Sequence, residues 1–219
     1  MRSFLRKIYN KFKHVNVIMV HHVCDDEPII PSCIISKEGF SEYIRDKRFI
    51  SVNTALKSVS KNDSSYVITV DDALDDLYTV IYPVCKANGI PFTAFISVDL
   101  IDKKGYITTE QLVEMSNDPL VTIGSHGCTH VKLSECDDDQ ARYEIMESKR
   151  KLEKTIGREV FAYAYSNGVA SKRDIKLVKK AGYRYAFGVT PRKCNKISLI
   201  KDRYILPRYN LTNDTFKKI

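Results

Sequence analysis

Short apolar runs bounded by polar and turn-forming residues recur along this 219-residue chain, at Val15–Val20, Tyr66–Val70, Phe92–Val98, Leu120–Ile123, Val160–Tyr165 and Tyr183–Phe187. Their length and nearly unbroken apolar character predict strands covered on both faces. Between them the spacing predicts helices over Ser36–Lys47, Leu77–Asn88, Thr108–Ser116, Asp137–Ile156 and Ser171–Ala181. Three of these stop at Asn88-Gly89, Gly157 and Gly182, where a left-handed residue ends a helix readily. Strands alternating with helices in this rhythm predict parallel βα units, hence an α/β barrel or a doubly wound sheet. In either architecture the chemistry lies at the carboxyl ends of the strands. Upstream, residues 3–13 set Phe4, Leu5, Ile8, Tyr9 and Phe12 at helical spacing among Arg6, Lys7, Lys11 and Lys13. Residues 1–14 thus read as a basic amphipathic helix. With no internal repeat and no Gly/Ser linker, residues 15–219 read as a single domain.

Composition removes several classes. Hydrophobic residues at 43% and charged residues at 28% exclude disordered and low-complexity chains. The longest uncharged run, Pro119 to Val131, falls short of the roughly 20 apolar residues of a membrane-spanning helix. The first residues never develop the apolar stretch of a secretory signal, and none of the six Cys forms a C-x-x-C pair. Reduced thiols in the cytoplasm are therefore expected. The net charge of +8 is uneven: residues 1–13 carry five basic and no acidic side chains, and residues 172–219 carry fourteen basic and three acidic. Basic ends around an acidic centre predict an anionic partner near the termini and a cation-binding centre. For the terminal helix two roles stand open: capping the bottom of the barrel with its apolar face buried against the core, or peripheral docking on an anionic cytoplasmic membrane face. No nucleic-acid motif accompanies the charge, so no nucleic-acid partner is expected.

The chemistry concentrates at two strand ends. Tyr66–Val70 runs into Asp71-Asp72, two carboxylates that are costly to bury without a positive neighbour. Leu120–Ile123 runs into Gly124-Ser125-His126-Gly127-Cys128-Thr129-His130, with two of the chain's five His four residues apart. That spacing can turn both imidazoles towards one metal ion. One carboxylate with two imidazoles makes the three-ligand set of an open catalytic metal site. Adjacent strand residues face opposite sides, so the two aspartates are expected to divide the work. One binds the ion, and the other orients and deprotonates a water. The same divergence argues against a retaining glycosidase, whose carboxyl groups face one bond about 5 Å apart.

These residues resemble the polysaccharide deacetylases of carbohydrate esterase family 4. The family's T-F-D-D-G is similar to Thr69-Val70-Asp71-Asp72-Ala73, with its downstream D-x-Y and Y-P at Asp76, Tyr78, Tyr82 and Pro83. Its H-[ST]-x-x-H is similar to His126-Gly127-Cys128-Thr129-His130, preceded by Ile123-Gly124-Ser125. Its G-I-P-A-T-F-F-I is similar to Gly89 through Ile96. The resemblance spans about residues 17 to 210. It implies a distorted, incomplete TIM-like (β/α) barrel, Asp71 as general base, and Asp72, His126 and His130 as ligands of zinc or a similar divalent cation.

The departures are as informative. Ala73 stands where the family has glycine, the chain has no Trp, and the late motif Leu206-Pro207-Arg208-Tyr209-Asn210 lacks the His that serves as general acid. The third motif reads Phe161-Ala162-Tyr163-Ala164-Tyr165-Ser166 without its proline and glycine. In the family this segment supplies a backbone N–H to the oxyanion, which places Tyr165 in that role. One branch carries an early Tyr-His motif whose His is the acid; Met19-Val20-His21-His22 resembles it, so His21 takes the role and His22 stands second. The expected activity is a metal-dependent N-deacetylase of an N-acetylated sugar in a surface polysaccharide or its precursor. The alternatives are a degenerate member that binds glycan without turnover, and a deacylase of another amide or ester.

Overall fold

The computed structural model describes residues 14–25, 33–57, 65–190, 194–195 and 202–219. The helix expected over residues 3–13, and its membrane-docking face, lie outside the described residues. The strands are β1 (His14–Val20), β2 (His22–Val23), β3 (Ile34–Ile35), β4 (Ser65–Val70), β5 (Phe92–Ile96), β6 (Val121–Ser125), β7 (Ala162–Ala164), β8 (Tyr185–Phe187), β9 (Cys194–Asn195) and β10 (Tyr209–Asn210). The helices are α1 (Lys37–Arg45), α2 (Val52–Lys57), α3 (Tyr82–Ala87), α4 (Thr109–Asn117), α5 (Asp138–Ile156) and α6 (Lys172–Lys180).

Six of these strands, β1 and β4 to β8, follow the apolar runs, and with β10 they pair in parallel in the order β10-β1-β4-β5-β6-β7-β8. Both faces of the curled sheet are dry. One face packs Ile18, Val20, Ile68, Val70, Ile96 and Ile123 under the helices. The other packs Val15, Val17, Val67, Phe95, Ala162, Ala164, Phe187 and Leu206 inside the curl. There Gly124 leaves room for the Phe95 ring, which a Cβ at that position would meet at 2.5 Å. Segment 203–211 spans the two edges of the sheet. Leu206 N donates to Ala186 O (2.8 Å) and Gly188 N to Leu206 O (2.9 Å) on the β8 side, while Leu211 N donates to Met19 O (2.8 Å) on the β1 side. The result is the distorted, incomplete TIM-like barrel expected, joined across its gap by irregular chain.

Helix caps follow the sequence. Ser36, Thr108, Asp137 and Ser171 accept from the N3 amide of α1, α4, α5 and α6, and Gly157 ends α5 in the left-handed region. The helix expected over 77–88 is divided. Pro83 has no N–H to donate, and the chain opens with a π-helical turn, Leu77–Ile81, in which Tyr82 N reaches Leu77 O. No helix of the described residues is long and apolar enough to cross a membrane.

Candidate active site

Strand parity carries the polar residues to the barrel mouth. Along β4 the inward positions continue from Val67 and Thr69 to Asp71; along β1 from Val15, Val17 and Met19 to His21; along β6 from Gly124 to His126. His21, Asp71, Asp72, His126, His130, Asn167 and Arg208 line one cleft of about 260 Å³.

Asp71 is buried at 1% exposure, and the group that makes this affordable is Arg208, itself 0% exposed. Its Nη1 donates to Asp71 Oδ1 at 2.7 Å and its Nη2 to Oδ2 at 2.8 Å. Nη1 also reaches Thr69 Oγ1 (3.1 Å) and Nε reaches Gly188 O (3.1 Å). Burial pushes the Asp71 carboxyl up, but the charge of Arg208 and its fork of hydrogen bonds outweigh it and hold the group below its ordinary range.

Asp72 and Ala73 both take left-handed φ, 73° and 65°, which turns the Asp72 carboxylate away from strand parity and towards the second motif. Its Oδ1 lies 3.0 Å from His130 Nε2 and 3.4 Å from His126 Nε2. His126 Nδ1 is 2.8 Å from Ala164 O, so Nδ1 carries a proton and donates it there, leaving the Nε2 lone pair facing the cleft. Asp72 Oδ1 is buried without a well-aligned hydrogen-bond partner despite these short contacts. Three convergent lone pairs within 4.8 Å of one another are stable around a positive charge. Ligand atoms around a tetrahedral ion with bonds of about 2.1 Å stand about 3.4 Å apart, close to the two separations from Asp72 Oδ1. Asp72, His126 and His130 thus fit a divalent cation.

His21 lies at the cleft's edge. Burial lowers its pKa, but a hydrogen bond with the Cys33 thiol and the charges of Asp71 and Asp72 raise it above the ordinary imidazole value. His22 faces the other way: its Nδ1 is 3.3 Å from Asp76 Oδ2, which also accepts from Val23 N at 2.6 Å. It anchors the loop after β1 and stays out of the cleft.

Tyr165 lines the same cleft, where its backbone N–H donates to Phe187 O at 3.0 Å and its hydroxyl to Tyr204 O at 3.0 Å. The third-motif turn is built by Asn167 and Gly168, both left-handed at φ 62° and 71°. Gly168 packs so tightly on Val189 that a Cβ would meet its side chain at 2.3 Å. Arg208 was absent from the sequence-derived site. The cost of burying Asp71 already called for a cation, and Arg208 continues the inward parity of Leu206 in a segment too irregular to read as a strand.

A family model described as polysaccharide deacetylase matches residues 58–186. YxkH of Bacillus subtilis, named for the same family, is 30% identical over 129 residues, which cover 59% of this chain and 45% of that protein. A poly-beta-1,6-N-acetyl-D-glucosamine N-deacetylase of Staphylococcus aureus is 23% identical over 208 residues, covering 84% of this chain and 70% of its own length. Among solved structures, the Streptococcus pyogenes deacetylase PplD in complex with acetate superposes with a TM-score of 0.80 at 18% identity, covering 94% and 96% of the two chains. IcaB from Ammonifex degensii superposes with a TM-score of 0.82 at 19% identity, covering 94% and 95%. With its motifs gathered in one cleft of the matching fold, the chain belongs to the polysaccharide deacetylase family.

Proposed function

We propose that the protein is a metal-dependent N-deacetylase that hydrolyses the acetamido group of an N-acetylated sugar in a surface polysaccharide or its precursor. The observation that carries this reading is the Asp72–His126–His130 donor set beside the Arg208-held carboxylate of Asp71 in one cleft. A bound divalent cation, zinc by the donor types, would supply Lewis-acid polarisation of the amide carbonyl and lower the pKa of the attacking water towards about 7.

The chain's own residues do the rest. Arg208 keeps Asp71 ionised and fixes its plane, so that an Asp71 oxygen takes the proton from water as it attacks. Ala164 O fixes the His126 tautomer, which keeps Nε2 available as a ligand. His21, whose pKa is raised by the Cys33 hydrogen bond and the charges of Asp71 and Asp72, is the residue placed to donate a proton to the departing sugar nitrogen. Acetate and a free amine leave. The named activity of the staphylococcal relative supports a β-1,6-linked N-acetylglucosamine polymer as the substrate.

One observation favours a second reading, a glycan-binding protein without turnover: the Tyr165 N–H is already engaged. The test is acetate release by zinc-loaded protein from a panel of N-acetylated sugars, lipid-linked intermediates and β-1,6-linked oligomers. Release is expected from at least one. Binding of an oligomer with no acetate released from any member of the panel selects the second reading.

A further inference from the structure

The two imidazoles of the proposed metal site are separated by a three-residue loop, Gly127-Cys128-Thr129, and that loop is held by a group outside the cleft. Two of its carbonyls, and that of His126 before it, are satisfied by neighbouring segments: Val98 N donates to Gly127 O (3.1 Å), Asp99 N to Cys128 O (2.9 Å), and Ser166 Oγ to His126 O (3.1 Å). Of its N–H groups, Gly127 N reaches Ser125 Oγ at 3.2 Å. The other two converge on one side chain. Cys128 N donates to Glu144 Oε2 at 2.7 Å, Thr129 N to the same oxygen at 3.0 Å, and Thr129 Oγ1 to Glu144 Oε1 at 2.7 Å.

Glu144 sits on α5 at 2% exposure, and no ion pair among the described residues involves it. A buried carboxylate without a cation costs several kcal/mol unless its oxygens are filled by donors. Here three donors from one turn fill them, the arrangement in which successive N–H groups form a concavity for an anion. The fit is tight: Gly127, at φ 88°, has no room for a Cβ, which would stand 2.9 Å from Glu144 Oε2. Immediately after the clamped Thr129, His130 takes a left-handed φ of 64°, a conformation that a non-glycine residue keeps only when its surroundings enforce it.

We infer that Glu144 is a positioning residue, whose carboxylate fixes the path from His126 to His130 and thereby sets the affinity of the site for its cation. This rests on the metal reading above. Because Glu144 touches neither imidazole, it acts on binding through the loop alone. Partners that orient ligands typically change metal affinity by about 10- to 100-fold when removed, and Glu144→Ala is expected within that range. Glu144→Gln should stay within about threefold of the parent, since its amide oxygen can accept both N–H groups while its NH2 donates to the Thr129 hydroxyl.

The test uses the full chain and cobalt(II) alone, followed by its visible absorption, with zinc competition for affinity. Leu152→Ala, a buried cavity on the same helix two turns away, controls for general destabilisation. Expected is a weakened cobalt affinity and an altered spectrum in Glu144→Ala, with a lowered melting temperature but parental affinity in Leu152→Ala. Equal affinities in Glu144→Ala and parent, or equal weakening in Leu152→Ala, overturns the inference. If Glu144→Ala does not fold, Glu144→Asp, which keeps the charge but retracts it by one methylene, must show the loss. Hydrogen exchange in the metal-free protein separates this claim from the metal reading. The Cys128 and Thr129 amides should be protected in the parent and exchange at least 10-fold faster in Glu144→Ala, and unchanged exchange refutes the clamp whatever cobalt does. A parent that binds no cobalt overturns the metal reading and the affinity claim with it.

Discussion

Replacing Arg208 with Met removes a fully buried guanidinium and keeps most of its volume. Asp71 then remains at 1% exposure with its two strongest hydrogen bonds gone, and Thr69 Oγ1 and Gly188 O each lose a donor. Removing one partner of a buried ion pair costs about 3–5 kcal/mol, chiefly because the remaining charge is stranded. For a chain of this size, each kcal/mol moves the melting temperature by about 2–4 °C, so a fall of about 6–20 °C is expected in metal-free protein. The second change, Asp71→Asn in the Arg208→Met background, removes the stranded charge and should return about 2 kcal/mol or more. Urea unfolding of the parent, both single variants and the double variant closes the cycle. A single Arg208→Met loss below about 1 kcal/mol, or strict additivity of the two substitutions, would refute the claim that this pair makes the burial of Asp71 possible.

Three further outcomes follow from the geometry. His22 gains a hydrogen bond to Asp76 and a pKa above its unfolded value, so its contribution to stability is complete below pH about 6.5 and lost as pH rises through the folded pKa; His22→Gln should flatten that part of the pH–stability curve, and an unchanged curve contradicts the assignment. Ala73→Gly relieves about 1–2 kcal/mol of left-handed strain but adds about 0.4–1 kcal/mol of unfolded-chain freedom and loses a buried methyl of about 0.8 kcal/mol, so calorimetry should find a melting temperature within about 3 °C of the parent. His21→Ala should slow acetate release by about 100-fold or more with cobalt affinity retained, whereas parallel loss of cobalt binding would place His21 in the metal site instead.

Much of the site could be read from sequence because it lies where regular elements end. Apolar runs fix the inward parity of β1, β4 and β6, and the next inward residues are His21, Asp71 and His126. Asp72 and His130 escape that parity through left-handed backbone, yet their spacing to those residues marked them. Arg208 was hidden because segment 203–211 joins the sheet edges with only a two-residue strand, too short to show a period. Glu144 was hidden for the opposite reason: on a helix of 19 residues rich in acidic and basic side chains, a carboxylate reads as solvated surface until the loop that covers it is known. The Tyr165 N–H could not be judged at all, since the Phe187 carbonyl that accepts it belongs to a different strand.

The central claim divides labour between neighbouring aspartates, Asp72 holding a cation and Asp71 moving a proton. One paired measurement addresses it: bound zinc per chain and the rate of acetate release from a β-1,6-linked N-acetylglucosamine oligomer, for the parent, Asp71→Asn and His126→Ala, each below its melting temperature. The account predicts about one zinc per chain in the parent, nearly the same in Asp71→Asn with acetate release at least ~100-fold slower, and loss of both zinc and activity in His126→Ala. Parental activity in Asp71→Asn, or full activity in protein shown to contain no metal, would contradict it.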